Sequence, residues 1–472
     1  MVKTGCKEEI EFQGLGGRKV VGQFDGGRIT TDAGALLLGE VEHARGFLVD
    51  FSKCFTDYRN QDAIEHTVEE LVSQRIYGIA LGYEDLNDHD QLRIDPLLAT
   101  LCKKQDPTGQ QRRCRDDKGK ALAGKSTLNR LELTPGDAGK ESRYKKIVYH
   151  TEEIERFFVE VFLRSHREKP GQIILDLDAT DDPIHGNQEG RFFHGYYGGY
   201  CYLPLYIFCG DHVLCAKLRT SGIDASEGAK EEVERIVKHI RRYWADVRII
   251  LRGDSGFARE ELMGWCEVNH VDYIFGLARN SRLVEEIKGG MEEAQKLYEQ
   301  TRQASRVYKD FFYRTLNSWT AGRRVIAKAE HIEKGANPRF IVTSLKSEDR
   351  DARSLYEQDY CARGEMENRI KEQQLHLFAD RTSTETMRAN QLRLWFSSVA
   401  YILLSELRRV ALCSTEFARA QCSTIRTKLL KIGAQVRVSV RRISIALASG
   451  YPYQEVFRLA FKNIRNAYPL LC

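Results

Sequence analysis

The chain has 472 residues, of which 42% are hydrophobic and 29% charged, with 9 Pro and a formal net charge of +5. That length supports roughly two to four domains and ample apolar material for a core, and the composition excludes wholesale disorder and collagen-like or low-complexity structure. No apolar stretch follows the first lysines, so a secretory signal is not expected and the protein should stay in the cytoplasm. The most apolar run, Leu394 to Cys413, is interrupted by Glu406, Arg408 and Arg409; it reads as a buried helix and not as a membrane span.

The 12 Cys form no C-x-x-C pair, which favours reduced, mostly buried thiols over a zinc or redox site.

In chain order, Gln23 to Leu38 reads as a short strand, a Gly26-Gly27 turn and a helix beginning near Thr31 or Asp32. Asp62 to Leu101 has helical periodicity through Ile64, Val68, Leu71, Val72, Ile76 and Ile79, so the first third should be mainly helical. Lys103 to Lys125 is polar, charged and punctuated by Gly, as an exposed loop would be. The character changes at Gln172: strands are expected over Gln172–Thr180, Tyr200–Cys209 and His212–Leu218, then a helix over Ser226–Trp244, a strand over Val247–Leu251, a helix over Arg259–Val268 and a strand over Tyr273–Leu277. This β-β-β-α-β-α-β order gives an α/β class with a mixed sheet and matches the ribonuclease H-like fold. Strand-like segments at Phe311–Thr315, Arg324–Ala329 and Arg339–Thr343 form a β-rich insertion, after which helix returns from about Tyr356 to Arg409. From Gln421 onward there are nine basic residues against one acid, Glu455, a charge bias that suits either a polyanion partner or a solvated helix face.

Chemistry is concentrated in carboxylates. Asp176 and Asp178 share one face of an apolar strand because side chains alternate, and two acids buried together need a cation or an exposed strand end. Asp254 follows the Val247–Leu251 strand and precedes Ser255-Gly256, at the kind of strand end where open α/β sheets place ligands. Oxygen donors without His or Cys favour magnesium or manganese, and paired Mg²⁺ suits displacement at phosphorus.

Tyr360, Arg363 and Glu367 fit the Tyr-x2-Arg-x3-Glu signature of DDE transposases from bacterial insertion sequences. Leu-Asp-Leu-Asp-Ala-Thr-Asp-Asp at Leu175, His-Gly-Tyr-Tyr at His194, Arg-Gly-Asp-Ser-Gly-Phe at Arg252, Phe-Ala-Asp-Arg at Phe378 and Gly-Tyr-Glu-Asp-Leu-Asn-Asp-His at Gly82 resemble family 1380 of those sequences over nearly the whole chain. The resemblance implies a ribonuclease H-like catalytic core (166–285 and 346–410) interrupted by a β-rich insertion (286–345), between a mainly helical DNA-binding or dimerisation region (1–165) and a basic helical C-terminal region (411–472). It implies Asp178, Asp254 and Glu367 as the acids holding two Mg²⁺ ions, with Mn²⁺ as substitute. Asp176 remains the alternative first acid, and Glu365 is a weaker rival to Glu367. Tyr360 and Arg363 would hold DNA phosphate. The signature's terminal Lys is Gln374 here, leaving Lys371, one turn after Glu367, as a possible substitute. Trp319 would stack on a base flipped from the transposon end, or be an ordinary packed Trp. The implied partners are the transposon's terminal inverted repeats and target DNA, with a homodimer in the synaptic complex, a nucleoid-associated bacterial location and no membrane. The implied activity is metal-dependent strand cleavage and transfer; a catalytically inactive DNA-binding copy is the alternative.

A third class is raised by Gly119-Lys-Ala-Leu-Ala-Gly124-Lys125-Ser126, which satisfies the phosphate-loop string of nucleotide hydrolases. That loop needs a hydrophobic strand before its first Gly, and Gln110 to Lys118 cannot supply one. Ser126 or Thr127 is expected to cap a helix over Leu128–Leu133 instead.

Overall fold

The computed structural model describes residues 9–468; Cys6 and Cys472 lie outside them. The chain divides into two compact units, one from Met1–Tyr149 and Val399–Cys472, the other from His150–Ser398.

In the first unit the expected helices form. Val68–Leu81 starts in a capping box, with the Thr67 side chain accepting from Glu70 N and the Glu70 side chain from Thr67 N, the reciprocal arrangement that satisfies two orphan amides. The Lys103–Lys125 segment has no strand and one short helical turn, Arg115–Asp117, but it is anchored: the Gln74 side chain exchanges hydrogen bonds with Ala123, donating to its carbonyl at 2.8 Å and accepting from its N–H at 3.0 Å. Ala121, Leu122 and Ala123 are therefore buried, against the expectation of a wholly exposed loop. The phosphate-loop reading also fails on geometry. The helix begins at Lys125 with Gly124 as its cap, one turn earlier than expected, and Lys125 N donates to the Asp90 carboxylate at 3.1 Å. A carboxylate occupies the place where a phosphate would sit.

Both ends of the chain differ from expectation. Ile10–Leu15 and Arg18–Gly22 pair as an exposed hairpin, and the first strand after Gly26-Gly27 is Ile29–Thr30, followed by a short helical turn at Ala33–Ala35 and the helix Leu36–Arg45. The tail is not wholly helical. Ala434–Val438 and Ile443–Leu447 form a hairpin whose first strand pairs with Ile29–Thr30, and among the described residues beyond it only Gln454–Ala467 is a regular helix. Alternating Val436, Val438, Ile443 and Ile445 fit a pleated surface better than a helix. The segments around Gly34 and Leu429 meet closely: a Cβ on Gly34 would lie 1.9 Å from the Leu429 carbonyl oxygen.

The second unit is built on a nine-stranded mixed sheet. Its order is His212–Lys217, Leu205–Cys209, Gln172–Ala179, Arg248–Gly253, Asp272–Leu277, Arg339–Thr343, Arg323–Ile332 and Ser305–Tyr313, with Gly335–Ala336 beside Arg323–Ile332. Arg248–Gly253 runs parallel to both neighbours, and the other pairs are antiparallel. The four strands of 286–345 thus extend the core sheet edge through the Asp272–Leu277 pairing with Arg339–Thr343. The expected Tyr200–Cys209 strand splits at Leu203-Pro204: Gly199–Tyr202 joins a small separate sheet and Leu205–Cys209 the main one, since Pro cannot donate to a ladder. Likewise the helical stretch from Tyr356 is interrupted between His376 and Met387, where Phe378 takes φ +59°.

Alternation along the strands sorts the two faces. Leu175, Leu177, Leu251 and Tyr273 pack with Val233, Ile236 and Ile240 of the helix Ala229–Tyr243 and with Leu262 and Met263 of the helix Glu260–Val268. On the opposite face Ile250, Ile274, Ile326 and Ile341 pack against Leu355 and Tyr356. No helix among the described residues is long and apolar enough to cross a membrane. None of the ten described cysteines is in a disulfide, and Cys54, Cys102, Cys201, Cys215, Cys266 and Cys422 are buried.

Because the Gly34 site has backbone rather than side chain against it, Gly34→Ala is expected to destabilise the protein by about 1–3 kcal/mol or more, read as a lowered urea midpoint. Gly46→Ala, with nothing within 4 Å of the new Cβ, should cost only the about 1 kcal/mol of its left-handed backbone.

Candidate active site

Asp176 and Asp178 lie on the sheet face away from Leu175 and Leu177, and the structure separates their environments. In the parallel register Arg252 stands opposite Asp176, on the same face, and grips it with two hydrogen bonds, the Nη2–Oδ2 contact being 2.8 Å. Both side chains are buried. A third guanidinium bond goes to the Asp359 carbonyl, tying the strand pair to the helical segment that crosses it. Asp176 is therefore fully occupied by a fork-to-fork ion pair.

Asp178 sits one pleat further on, near the strand's end. The strands run parallel with Gly253 opposite Leu177, so Asp254, the next residue, leaves its strand beside Asp178. Its Oδ1 accepts from Gly256 N at 2.8 Å and caps the turn Ser255–Phe257, which fixes the carboxylate at the strand end. Burial pushes the Asp178 carboxyl up to about 7; the Arg363 guanidinium opposes this, and the charges of Asp254 and Glu367 reinforce it.

The third acid arrives on the helix Gly364–Lys371. Arg363 reaches Glu367 at 2.8 Å, an i,i+4 contact, and Asp178 at 3.6 Å. One guanidinium thus bridges two of the three expected acids. The backbone leading to it tightens from a wide turn at Leu355–Tyr360 to a narrow one at Cys361–Arg363 before regular helix begins; such irregular turns re-aim side chains within an otherwise continuous helix. Tyr360 is carried against the Asp254 turn. A Cβ on Gly276 would come within 2.6 Å of the Tyr360 hydroxyl and 2.9 Å of Ser255 N, so the absence of a side chain at Gly276 is what allows this approach. Burial raises the Tyr360 phenol.

A cavity of about 610 Å³ opens on the Asp254 side, with Tyr356, Tyr360, Arg363, Arg279 and Arg339 in its wall. Arg279 and Arg339 were not legible as site residues: Arg279 lies in a loop and Arg339 opens a strand, and neither belongs to a motif.

The remaining expectations fare unevenly. Lys371 is exposed, one turn beyond Glu367. Glu365 is also exposed. Gln374 does not replace a Lys contact to a ligand: its amide donates to the Asp181 carbonyl at 3.0 Å and the Asp182 carboxylate at 2.9 Å. Trp319 is corrected. It is 4% exposed, edge-on to Tyr313 with ring centroids 5.9 Å apart, and Arg323 covers its ring at 5.4 Å. With both neighbours in place it offers no open face for a base, and the packed reading accounts for its contacts.

Among the described residues no three His, Cys, Asp or Glu side chains are gathered as a metal site. The donors at Asp178, Asp254 and Glu367 are nonetheless all carboxylate oxygens, which suit a hard divalent ion, and the positive charge between Asp178 and Glu367 is supplied by Arg363.

A family model described as Transposase DDE domain group 1 matches residues 12–469. The chain belongs to the DDE transposases. Among solved structures the transposase is similar to the cryo-EM structure of a piggyBac transposase synaptic complex with hairpin DNA, at 9% identity and a TM-score of 0.39, with 85% of this chain and 80% of that chain covered. No curated protein matches it. Membership of this family implies an enzyme of DNA recombination that uses divalent metal.

Two predictions separate the neighbouring acids. Asp176→Ala leaves Arg252 buried and unpaired and should cost about 3–5 kcal/mol in urea unfolding, whereas Asp178→Ala at neutral pH should change stability by less than about 1 kcal/mol. Asp182, fully buried with one oxygen unpartnered, is pushed up to about 8, chiefly by burial and further by Asp380 and Asp181. Its folded state holds a proton that the unfolded state has lost, so stability should fall as pH rises from about 4 to about 8; in Asp182→Asn that fall should be shallower.

Proposed function

We propose that this transposase binds the terminal inverted repeats of its own insertion sequence and carries out metal-dependent strand cleavage and strand transfer, with Asp178, Asp254 and Glu367 as the catalytic acids. The observation that carries this reading is the adjacency of the Asp178 and Asp254 strand ends together with the single guanidinium joining Asp178 to Glu367. Asp176 drops out because its carboxylate is spent on Arg252. The three acids would hold two Mg²⁺ ions, or Mn²⁺, and the bound ions would supply Lewis-acid activation of the attacking water or 3′-hydroxyl and charge neutralisation at the leaving oxygen.

The chain's own groups do the rest. Asp254 is pre-set by its turn and needs no reorganisation to present its second oxygen. Glu367 sits on a helix held to the sheet face by Tyr356 and Leu355, so its approach is governed by that packing. Arg363 neutralises Asp178 and Glu367 before metal arrives, and its planar donors fit a phosphate once those acids have another cation. Tyr360 and the cavity arginines extend the same wall, and Lys371 can pair with phosphate from the exposed helix face as a point charge. The mainly helical N-terminal region and the basic tail, with Arg437, Arg441 and Arg442 all exposed on its hairpin, are the proposed surfaces for tracking the duplex. Cutting two ends together requires a homodimer on DNA, acting in the bacterial cytoplasm at the nucleoid.

The test is incubation of the purified protein with a labelled duplex bearing its own transposon end, with Mg²⁺ or EDTA. Nicking at the end junction should require metal. Asp254→Asn and Glu367→Gln should each reduce it by more than about 100-fold, beyond what residues behind the metal ligands usually cost, with DNA binding retained. Binding by the wild type without cleavage under any metal would instead support an inactive DNA-binding copy.

A further inference from the structure

The segment joining the first two core strands exposes more aromatic surface than its packing uses. Phe192–His194 and Gly199–Tyr202 pair as a hairpin, closed by Gly195-Tyr196-Tyr197-Gly198 with Gly198 N donating to the His194 carbonyl at 2.9 Å and Gly198 at φ +68°. Tyr196, at the tip, is 87% exposed. Tyr197 is also exposed and lies edge-to-face with Tyr196 at 5.0 Å and against His194 at 4.9 Å.

The hairpin is held at its base. The Ser221 hydroxyl donates to the Phe192 carbonyl at 3.1 Å, the Phe192 ring lies against Gly222, where a Cβ would come within 3.2 Å, and the Arg191 guanidinium covers the Tyr200 ring at 4.0 Å. Its other anchor is the short strand Asp182–Pro183, which follows the Asp178 strand in the chain: Asp182 and Pro183 pair with Tyr202 and Cys201, four residues beyond Asp178. Tyr197 is close enough for the charges of Asp181 and Asp178 to add to burial in raising its phenol.

A rigidly held pair of exposed rings beside carboxylates is poorly suited to phosphate, since the Gly195–Gly198 turn carries no cation of its own. It suits a flat, uncharged π face, and a nucleobase presents one whatever its sequence. A base that is already unpaired costs least to unstack. We propose that the Tyr196-Tyr197 turn is a base-stacking element that receives unpaired bases flanking the phosphodiester addressed by Asp178 and Asp254. This rests on the DNA-cleaving reading given above.

Two probes built on the transposon end test it in EDTA: a fully paired duplex, and the same duplex with an unpaired four-nucleotide flank carrying 2-aminopurine. The wild type should bind the flanked probe more tightly and quench its fluorescence. Tyr196→Ala and Tyr197→Ala should weaken binding of the flanked probe by roughly 5- to 100-fold, bringing it to the level of the paired one, while Tyr196→Phe keeps the preference because stacking uses the ring and not the hydroxyl. Thermal unfolding of the Tyr196 variants should match wild type, as the side chain is solvent-facing. Unchanged preference in both alanine variants, or equal wild-type binding of both probes, overturns the stacking role and leaves the DNA-cleaving reading standing. Failure of the wild type to bind either probe overturns both. Loss of self-association in Tyr196→Ala with DNA preference intact assigns the turn to a protein interface and overturns the proposal.

Discussion

Two carboxylates on one face of a buried strand must each be neutralised, and the second unit is organised around how that is done. Period-two alternation puts Asp176 and Asp178 together, and the cost of burying both charges is several kcal/mol unless each finds a partner. Asp176 takes Arg252 from the neighbouring strand, within the sheet. Asp178 has Arg363, from the crossing helix and at 3.6 Å, and the Ala179 N–H at 3.0 Å. The first pair is closed and structural. The second is looser and shared with Glu367; burial raises both carboxyls, that of Asp178 to about 7.

The helix that carries Arg363 is in turn held by the other end of the same arrangement. Arg252 donates to the Asp359 carbonyl as well as to Asp176, and Gln374 reaches back to Asp181 and Asp182, just beyond the strand. These contacts clamp the signature helix on both sides of Glu367. Gln374 suits this place chemically: an amide can donate to both a backbone carbonyl and the Asp182 carboxyl without adding a buried ammonium, and burial pushes the Asp182 carboxyl up to about 8.

Much of this was legible in the chain. The Gln172–Ala179, His212–Lys217, Arg248–Gly253 and Asp272–Leu277 strands and the two helices between the later ones fall where their periodicities put them, because each buries one clear face. Elsewhere local pattern was outweighed. The charge of the basic tail masks the β-branched alternation of Val436 to Ile445; its two strands pair with each other, and the first is also joined by Ile29–Thr30, about 400 positions earlier. The Tyr200–Cys209 run looks like one strand until Pro204 divides it between two sheets. Trp319 looked available as a turn residue, but Tyr313 and Arg323 close over it.

What the sequence determined by itself was the set of acids, their strand-end positions and the Tyr-x2-Arg-x3-Glu spacing on one helix, since period-two and near-3.6 repeats depend only on neighbours along the chain. What tertiary structure decided was which cation neutralises each acid. Asp176 and Asp178 are equivalent as letters on one strand face; they differ because parallel register sets Arg252 opposite one, while a helix more than 180 residues later brings Arg363 to the other. Register and helix docking are non-local, and no property of the two aspartates contains them.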